Sequence, residues 1–505
     1  MIAESAFNLN LIKINFIVGG VNLKQKNEKL KVLFVSSEVD PFVKTGGLAD
    51  VAGSLPQAIK SEGHDIRVVL PEYKQIANDY LNDMTLKTDF RVDVAWRNEY
   101  VGVNYLEQND VSTYFIDNKS YFYRDSLYDN EDKDLQFAFF CRAVLEMLPK
   151  IDFQPDIIHC NDWQTGPLSI MLKEDYQDDP FYNDIKTIYT IHNLRYQGVF
   201  DAGILADVLA LDEKYFDNGS IEHDGLVNYM KMGLNFSDYI TTVSKTYAEE
   251  IKTPEFGEGL DYVLRNNSEN LFGIINGIDY DVYNPATDNR IYSNFSTNNL
   301  SGKWENKKEL QKEMGLPQRN DIPLIGLISR LVDQKGLDLI AEVMDNLLEE
   351  KVQFLLLGTG QKEYEEFFAE LARAYPNNIS ANIKYDANLA QKIYAGSDMF
   401  LMPSKYEPCG LGQLFSLRYG TIPIVRKTGG LADTIKDYDK TSEKGNGFVF
   451  SKYDAGEMLD TIRRALSVYN NQRKWEKIVK NALKIDYSWN NSAQEYISLY
   501  QEIAE

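Results

Sequence analysis

The heptapeptide KTGGLAD occurs twice in the chain, at Lys44–Asp50 and again at Lys427–Asp433. Each copy follows an apolar run and places a cation, a threonine and two glycines before a stretch typical of a helix. Glycines let the backbone approach a ligand closely, and the first N–H groups of a helix attract anions. The alternative is that the glycines in both turns have a purely structural role and bind no ligand. The candidate ligand-binding residues here are Lys44, Gly46, Gly47, Thr428, Gly429 and Gly430.

Two further cations and a carboxylate stand just after apolar runs in the second half of the sequence. Arg330 and Lys335 lie in SRLVDQKG; an arginine can bind phosphate through two hydrogen bonds, and a lysine acts as a point charge. Glu407 lies in SKYEPCGLGQL, where a carboxylate can bind sugar hydroxyls or stabilise a developing positive charge. The alternatives are solvated surface charges for the two cations and an acidic residue at a helix N-terminus for Glu407.

Three more side chains with reactive chemistry follow or precede turns. His192 lies in TIHNLRYQG and Asp162 in HCNDWQTG, each at the end of an apolar run in the first half. A lone histidine is commonly a structural residue and an aspartate before tryptophan can be a simple helix cap, so both alternatives stay open. Cys409 is either a reactive thiol of the site or, as its apolar type favours, a buried one.

The elements that position these residues alternate between strands and helices. KVLFVSSEV, the first Gly-rich turn, a helix up to Gly63 and HDIRVVLP form one βαβ unit over residues 31–71. The pattern restarts after Asn276–Pro285, and the segment from FRVDVAW to YFIDN alternates like hairpins at a sheet edge. Because ligands of parallel α/β sheets bind beyond the carboxyl ends of the strands, we expect both KTGGLAD copies at a ligand site.

Length, charge and residue counts exclude several classes of protein. A chain of 505 residues is too long for one core, and its net charge of −23 argues against nucleic acid and anionic membrane partners. Three unpaired cysteines indicate a reducing, cytoplasmic setting, and the four histidines are not spaced as metal ligands. There is no GxGxxG or GxxxxGK[ST] motif at a strand end and no apolar run that spans a bilayer. Residues 1–30 are interpreted as a disordered extension.

Taken together, the motifs resemble those of bacterial glycogen synthases of the starch synthase class. The resemblance runs from Lys31 to the C-terminus. It rests on SSEVDPFVKTGGLADVAGSLP, IHCNDWQTG, YTIHNLRYQG, INGID, ENKKELQ, SRLVDQKGLDL, PSKYEPCGLGQL and RKTGGLADTI in this order. It implies an α/β, glycosyltransferase-B fold, in which two Rossmann-like domains face a central cleft. The implied N-terminal, acceptor-side domain comprises 31–278 plus 488–505, and the C-terminal nucleotide-sugar-binding domain comprises 279–487.

The resemblance also implies an activity. Members transfer glucose from ADP-glucose to the non-reducing end of an α-1,4-glucan such as glycogen, with retention of configuration and without a metal or organic cofactor. UDP-glucose as donor and a non-catalytic glucan-binding protein are the alternatives. A sugar-nucleotide epimerase is disfavoured by the same motifs, and a phosphorylase would need a lysine for pyridoxal phosphate and usually has a longer chain. The sequence does not indicate an oligomeric state.

Residue roles follow from the family pattern. Arg330 and Lys335 are expected on the donor diphosphate, with Lys44, Gly46 and Gly47 at its distal phosphate and sugar. Backbone donors are expected from Thr428, Gly429, Gly430 and Leu431 of the second copy. The expected catalytic residues are Glu407, His192 and Asp162.

Two positions depart from the family pattern. Phe415 stands where related glycosyltransferases have a second glutamate, so the ribose must be held in another way. Asn161 and Gln164 flank Asp162–Trp163 where histidines are common, which puts the details of acceptor binding in doubt.

Overall fold

A computed structural model describes residues 29–504, which form two α/β halves built on separate sheets. Of the predicted extension 1–30, residues 1–28 lie outside the described part, whereas Leu30 is buried in the first core. The predicted class, α/β with two Rossmann-like sheets, is confirmed. Among the described helices, none is both long enough and apolar enough to cross a membrane.

The first half contains a nine-stranded sheet in the order β12-β11-β7-β6-β1-β2-β5-β4-β3 and a small antiparallel sheet, β8-β10-β9. Within the large sheet, β4 pairs antiparallel with β3 and β5, and the other neighbouring strands pair parallel. The strands are β1 (Lys31–Val35), β2 (Asp65–Pro71), β3 (Thr85–Val94), β4 (Arg97–Gln108), β5 (Val111–Asp117), β6 (Ile157–Asn161), β7 (Lys186–Ile191), β8 (Val199–Phe200), β9 (Glu222–His223), β10 (Leu226–Asn228), β11 (Tyr239–Thr242) and β12 (Leu271–Gly273).

The second half contains a six-stranded, fully parallel sheet in the order β15-β14-β13-β16-β17-β18. Its strands are β13 (Leu324–Ile328), β14 (Gln353–Leu357), β15 (Ile379–Asn382), β16 (Met399–Met402), β17 (Ile422–Arg426) and β18 (Phe448–Phe450).

Helices cover the sheets and connect their strands. Those of the first half are α1 (Gly47–Ser61), α2 (Asn78–Asp83), α3 (Lys119–Phe122), α4 (Lys133–Lys150), α5 (Gly166–Asp175), α6 (Lys214–Asp217), α7 (Tyr229–Phe236), α8 (Lys245–Glu250) and α9 (Asp261–Asn266). The later ones are α10 (Ser301–Glu313), α11 (Leu337–Glu349), α12 (Lys362–Ala374), α13 (Ala387–Gly396), α14 (Gly412–Arg418), α15 (Gly429–Thr434), α16 (Ala455–Tyr469), α17 (Gln472–Ala482) and α18 (Trp489–Ala504).

The first βαβ unit has the predicted order, but its first strand is shorter than predicted. β1 ends at Val35 because the Ser36 hydroxyl donates to the Glu38 carbonyl oxygen at 2.6 Å and turns the chain out of the sheet. β15 is short, because it ends at Asn382 and the residues from there to Asp386 form a loop. The predicted hairpins are confirmed as β3, β4 and β5 at the sheet edge.

The C-terminal helix α18 packs on the first sheet. Its buried residues Trp489, Tyr496 and Tyr500 belong to the same core as β1 and β6. The two chain crossings between the halves lie side by side, because Ile278 pairs with Ser488 and the Tyr280 hydroxyl donates to the Ile485 carbonyl at 3.0 Å. α18 therefore buries its apolar face on the first sheet, although it follows the second half in the chain.

Candidate active site

The singled-out residues lie beyond the carboxyl ends of parallel strands, six of which supply the site. A parallel sheet gathers these ends at one edge, so residues distant in sequence become neighbours. Lys44 follows β1, Asp162 follows β6, His192 follows β7, Arg330 and Lys335 follow β13, Glu407 follows β16, and the second KTGGLAD follows β17.

The first KTGGLAD copy is an exposed loop held by a buried carboxylate. Glu38, 4% exposed, accepts from the Thr45 hydroxyl at 2.6 Å, from the Gly46 N–H at 3.2 Å and from the Thr45 N–H. A Cβ atom at Gly46 would meet nothing within 4 Å, so this backbone is open to a ligand. The Lys44 ammonium pairs with Asp50 at 2.5 Å. The loop therefore presents a cation and free space together.

In the second copy Thr428–Leu431 are buried, and their polar groups form hydrogen bonds with other parts of the protein. The Glu250 carboxylate, on α8 of the first half, accepts from the Thr428 hydroxyl at 3.0 Å and from the Gly429 N–H at 3.1 Å. The Gly430 N–H donates to the Glu407 carbonyl at 3.1 Å, and the Leu431 N–H donates to the Thr428 carbonyl at 3.0 Å. Direct binding of a ligand by the Gly429 N–H therefore requires displacement of Glu250.

Glu407 is a buried carboxylate in a short polar cluster. It is 7% exposed and accepts from the Lys335 ammonium at 2.7 Å and from the Ser404 hydroxyl at 2.9 Å. Gly336, at φ 70°, lets this close approach happen, because a Cβ atom there would lie 2.1 Å from the Pro403 carbonyl oxygen. A buried carboxylate needs such charge-assisted partners, and Lys335 also brings positive charge to the cleft.

Two arginine–tyrosine contacts cross the cleft. The exposed Arg330 guanidinium donates to the Tyr196 hydroxyl at 3.4 Å, and Arg195 donates to the Tyr406 hydroxyl at 3.2 Å. Arg195 lies three residues after His192, and Tyr406 directly precedes Glu407. The loop that bears His192 and the loop that bears Glu407 are therefore neighbours across the cleft.

His192 and Asp162 form a second polar cluster with Asn161. The Asp162 carboxylate accepts from the His192 backbone N–H at 2.8 Å. The Asn161 amide nitrogen donates to the Val35 carbonyl at 3.0 Å, which turns the amide oxygen toward His192 Nε2 at 2.9 Å. His192 Nε2 is thus the protonated nitrogen, and Nδ1 is the unprotonated one.

Burial shifts the protonation of both residues. It raises the pKa of the Asp162 carboxyl to about 7, against the opposing backbone hydrogen bonds from His192 and Asn193. It lowers the pKa of His192 to about 3, so the imidazole is neutral at ordinary pH. Asp162 also adopts φ 56° and ψ 179°, a region used almost only by glycine. Strain and a raised pKa at one carboxylate are typical of a functional site.

Cys409 and Phe415 are both packing residues. Burial raises the pKa of the Cys409 thiol to about 12, so it is not an activated thiolate at neutral pH. Phe415 stacks on Tyr283 with ring centroids 4.0 Å apart. The position at which the resemblance implies a second glutamate is therefore part of an aromatic stack.

A cavity of about 580 Å³ adjoins the first copy. Lys44, Thr45, Gln75 and Tyr128 line it together with the acidic residues of segment 125–129. Its volume is in the range typical of small-molecule sites, and its lining is rich in hydrogen-bonding groups. Within residues 29–504, no group of three or more histidine, cysteine, aspartate or glutamate side chains is arranged to hold a metal ion.

Sequence reasoning missed the two glutamates that hold the KTGGLAD copies. Glu38 could have been noticed as an acidic residue just after the apolar strand KVLFV, seven residues before Thr45. Glu250 gave no such signal, because it stands beside the equivalent-looking Glu249 and contacts residues 178 positions away. Arg195 and Tyr196 were also missed, since their partners lie in the other half of the chain.

Comparison with known proteins shows similarity to glycosyltransferases along 94% of the chain. Residues 31–266 match the family model of the starch synthase catalytic domain, and 307–482 match that of glycosyl transferases group 1. A glycogen synthase of Desulforamulus reducens is 52% identical over 94% of this chain and 99% of its own, and one of Clostridium botulinum is 50% identical over 94% and 100%. The catalytic domain of starch synthase IV from Arabidopsis thaliana, bound to ADP and acarbose, superposes with a TM-score of 0.88 at 35% identity, covering 94% of this chain and 100% of that one.

Proposed function

Because the chain belongs to the glycogen synthase family of glycosyltransferases, with its glycosyltransferase-B fold, we propose that it transfers glucose from ADP-glucose to the non-reducing end of an α-1,4-glucan with retention of configuration. The observation that carries the proposal is the meeting of two clusters across the cleft. One holds Glu407 and Lys335, the other holds His192 and Asp162, and the Arg195–Tyr406 contact joins their loops. The similar plant enzyme was solved with ADP and acarbose, which supports an adenine nucleotide and a glucan-like acceptor.

The cations are proposed to bind the donor diphosphate. Arg330 is exposed and can form two parallel hydrogen bonds with phosphate oxygens. Lys335 neutralises Glu407 and can contact the same phosphates, so that carboxylate and diphosphate tolerate each other at close range. Lys44, Gly46 and Gly47 are proposed at the distal phosphate and sugar, where the open space at Gly46 allows close approach. The cavity beside Lys44 has room for part of the acceptor.

The transfer is proposed to occur on one face of the sugar. The bond between C1 of glucose and the phosphate oxygen breaks, and the acceptor hydroxyl oxygen forms the new bond to C1. The acceptor proton passes to the departing phosphate, which leaves as the nucleoside diphosphate. Neutral His192 cannot act as the acid, so His192 and Asp162 are proposed to orient sugar hydroxyls, while Glu407 stabilises the positive charge that develops at the ring.

The two halves are proposed to act as domains, 31–278 plus 488–505 and 279–487, that close around the donor. The adjacent crossings at Ile278 and Ser488 form a compact hinge. Closure would exclude water from an activated donor that water could hydrolyse. Thr428–Leu431, together with Glu407, would then form the wall of the second domain against the sugar.

The test is a comparison of donors with glycogen as acceptor. Purified protein is incubated with ADP-glucose or UDP-glucose, and release of the nucleoside diphosphate and growth of glucan chains are measured. Release of ADP with chain growth, and products that an α-1,4-specific amylase digests, is the expected outcome. Faster release of UDP would move the assignment to the other donor. Absence of transfer from both would refute the proposed activity.

A further inference from the structure

The two KTGGLAD copies bind carboxylates in the same way. In the first, Glu38 accepts from the hydroxyl of Thr45 and the N–H of Gly46. In the second, Glu250 accepts from the hydroxyl of Thr428 and the N–H of Gly429. The pattern places a carboxylate at the same two donors each time, just before a helix begins. Glu38 belongs to the same half as its loop, whereas Glu250 reaches across from α8 of the other half.

The second copy is packed directly against the loop that carries Glu407. A Cβ atom at Gly429 would lie 2.0 Å from the Glu407 carbonyl oxygen, and one at Gly430 would lie 2.0 Å from that of Cys409. The N–H of Gly430 donates to the carbonyl oxygens of Glu407 and Pro408, both at 3.1 Å. The glycines of this copy therefore serve close contact with the Glu407 backbone, unlike Gly46, around which there is free space.

The contact across the halves is reciprocal. On α8 the Thr246 hydroxyl donates to the Asp433 carboxylate at 2.6 Å, while Glu250 accepts from Thr428 in the opposite direction. Two threonine–carboxylate pairs one helical turn apart thus join α8 to α15. Glu250 is half-buried and Thr428 is fully buried, so the hydrogen bond between them competes little with water.

From these contacts we propose that Glu250 is a positioning residue for the glucosyl transfer. Through Thr428 and Gly429 it fixes the turn that holds the Glu407 backbone, and it ties that turn to the half that bears His192. The distance between the two catalytic clusters would then depend on Glu250, which acts through Thr428 and Gly429. This inference rests on the proposed function of the site.

The experiment compares Glu250→Ala and Glu250→Gln with the matched control Glu249→Ala. Glu249 is the preceding residue of α8, is exposed and pairs with Lys252 at 2.8 Å. We expect Glu250→Ala to lower kcat by about 10- to 100-fold, as for small displacements of reacting groups, with the KM for ADP-glucose within about 3-fold of wild type. Glu250→Gln keeps one acceptor oxygen and should recover part of the loss. Glu249→Ala should behave as wild type.

A double-mutant cycle adds a second measurement. Thr428→Val removes the hydroxyl at nearly constant volume, and its effect on kcat should not add to that of Glu250→Ala, because both break the same contact. Equal kcat for Glu250→Ala and the Glu249→Ala control, a loss confined to KM, or additive effects would each overturn the inference. If neither Glu250 variant folds, Thr428→Val alone is judged by the same kcat and KM criterion. If Thr428→Val also fails to fold, these residues have a purely structural role and the inference is overturned.

Failure of the inference is distinguishable from failure of the proposed function. A wild-type protein that transfers glucose from neither donor refutes the function. An active wild type with a fully active Glu250→Ala variant refutes the positioning role alone.

Discussion

At the scale of single residues, the site contrasts an exposed, weakly held cation with two firmly held carboxylates. Arg330 is exposed and contacts the Tyr196 hydroxyl at a long 3.4 Å, so its guanidinium can be drawn to a phosphate at little cost. Glu407 and Asp162, in contrast, are fixed by short hydrogen bonds before any ligand arrives. Preorganised acceptors of this kind cost no reorganisation during the reaction.

Arg330→Ala tests the phosphate assignment. Losing charge-assisted hydrogen bonds of about 1.5–3 kcal/mol should raise the KM for ADP-glucose by roughly 10- to 100-fold. Initial rates over a range of donor concentrations measure this. Arg319→Ala is the matched control, since Arg319 is exposed and pairs with Asp321 at 2.6 Å. An unchanged KM in Arg330→Ala would exclude the assignment.

Asp162→Asn tests the raised pKa. Burial raises the pKa of the Asp162 carboxyl from its ordinary value of 3.8 to about 7, so between these pH values the folded state binds a proton that the unfolded state has released. Its contribution to the free energy of unfolding is therefore present below pH 4 and is lost as the pH rises to 7. Because part of Asp162 is exposed, we expect the free energy of unfolding to fall by about 1–2 kcal/mol over this pH range. This is less than the full change in the Asp162 pKa implies.

The neutral asparagine removes that loss. Asp162→Asn should unfold at a higher temperature than wild type at pH 8, have nearly the same stability at pH 4 and lose most of its transferase activity. Thermal unfolding at the two pH values and kcat with ADP-glucose measure these effects. An equal stability difference at both pH values would show that the Asp162 carboxyl does not titrate as described.

At the scale of elements, the same heptapeptide has two environments. Thr45, Gly46 and Gly47 are exposed at the start of α1, whereas Thr428–Gly430 are buried at the start of α15. The first loop is therefore suited to contact a ligand and the second to support the Glu407 loop.

Paired alanine substitutions separate these roles. Gly429 has φ 43° and no room for a Cβ, so Gly429→Ala should cost about 3 kcal/mol or more of unfolding free energy. Gly46 is extended and faces open space, so Gly46→Ala should change stability by less than about 1 kcal/mol while raising the KM for ADP-glucose. Denaturant unfolding and donor kinetics measure both. Equal destabilisation by the two variants would contradict the distinction.

The sequence predicted the elements that carry long buried patterns. Five-residue apolar strands such as β1 and β13 are evident because parallel strands are buried on both faces. The small β8-β10-β9 sheet could not be predicted, since strands of two or three residues are too short to display a period.

The site residues were predictable by type, but not the contacts between them. Lys335 and Glu407 were each singled out, yet they form an ion pair 72 positions apart that only the parallel sheet creates. The buried state of the second KTGGLAD was hidden for the same reason, because its letters are identical to those of the exposed copy.

At the scale of the whole molecule, the site carries local positive charge although the net charge of the protein is −23. The chain carries 76 acidic and 53 basic residues, yet Arg330 and Lys335 both follow β13 and lie beside two other loops of the site, at Tyr196 and Glu407 respectively. Local positive charge within a negative protein selects an anionic ligand at that place and discourages nucleic acid elsewhere. This distribution agrees with a nucleotide-sugar donor.

The last helix belongs by packing to the first sheet, and hydrogen exchange can test this. The Tyr500 hydroxyl contacts His159 Nδ1 at 2.7 Å inside the first core, and burial lowers the pKa of His159 to about 3, so the ring is neutral. Tyr500→Phe leaves that nitrogen without its partner, at a cost of about 1–3 kcal/mol. Exchange should therefore become faster in β1, β6 and β7 and stay unchanged in the six-stranded sheet.

Tyr469→Phe is the matched control in the other half. The Tyr469 hydroxyl accepts from Lys307 at 2.8 Å and donates to the Asn320 carbonyl at 2.9 Å, both within the second half. Its loss should accelerate exchange in β13 and its neighbours and leave β1 protected. Faster exchange in the second sheet after Tyr500→Phe would mean that the two halves unfold as one unit, and α18 could then not be assigned to the first half on energetic grounds.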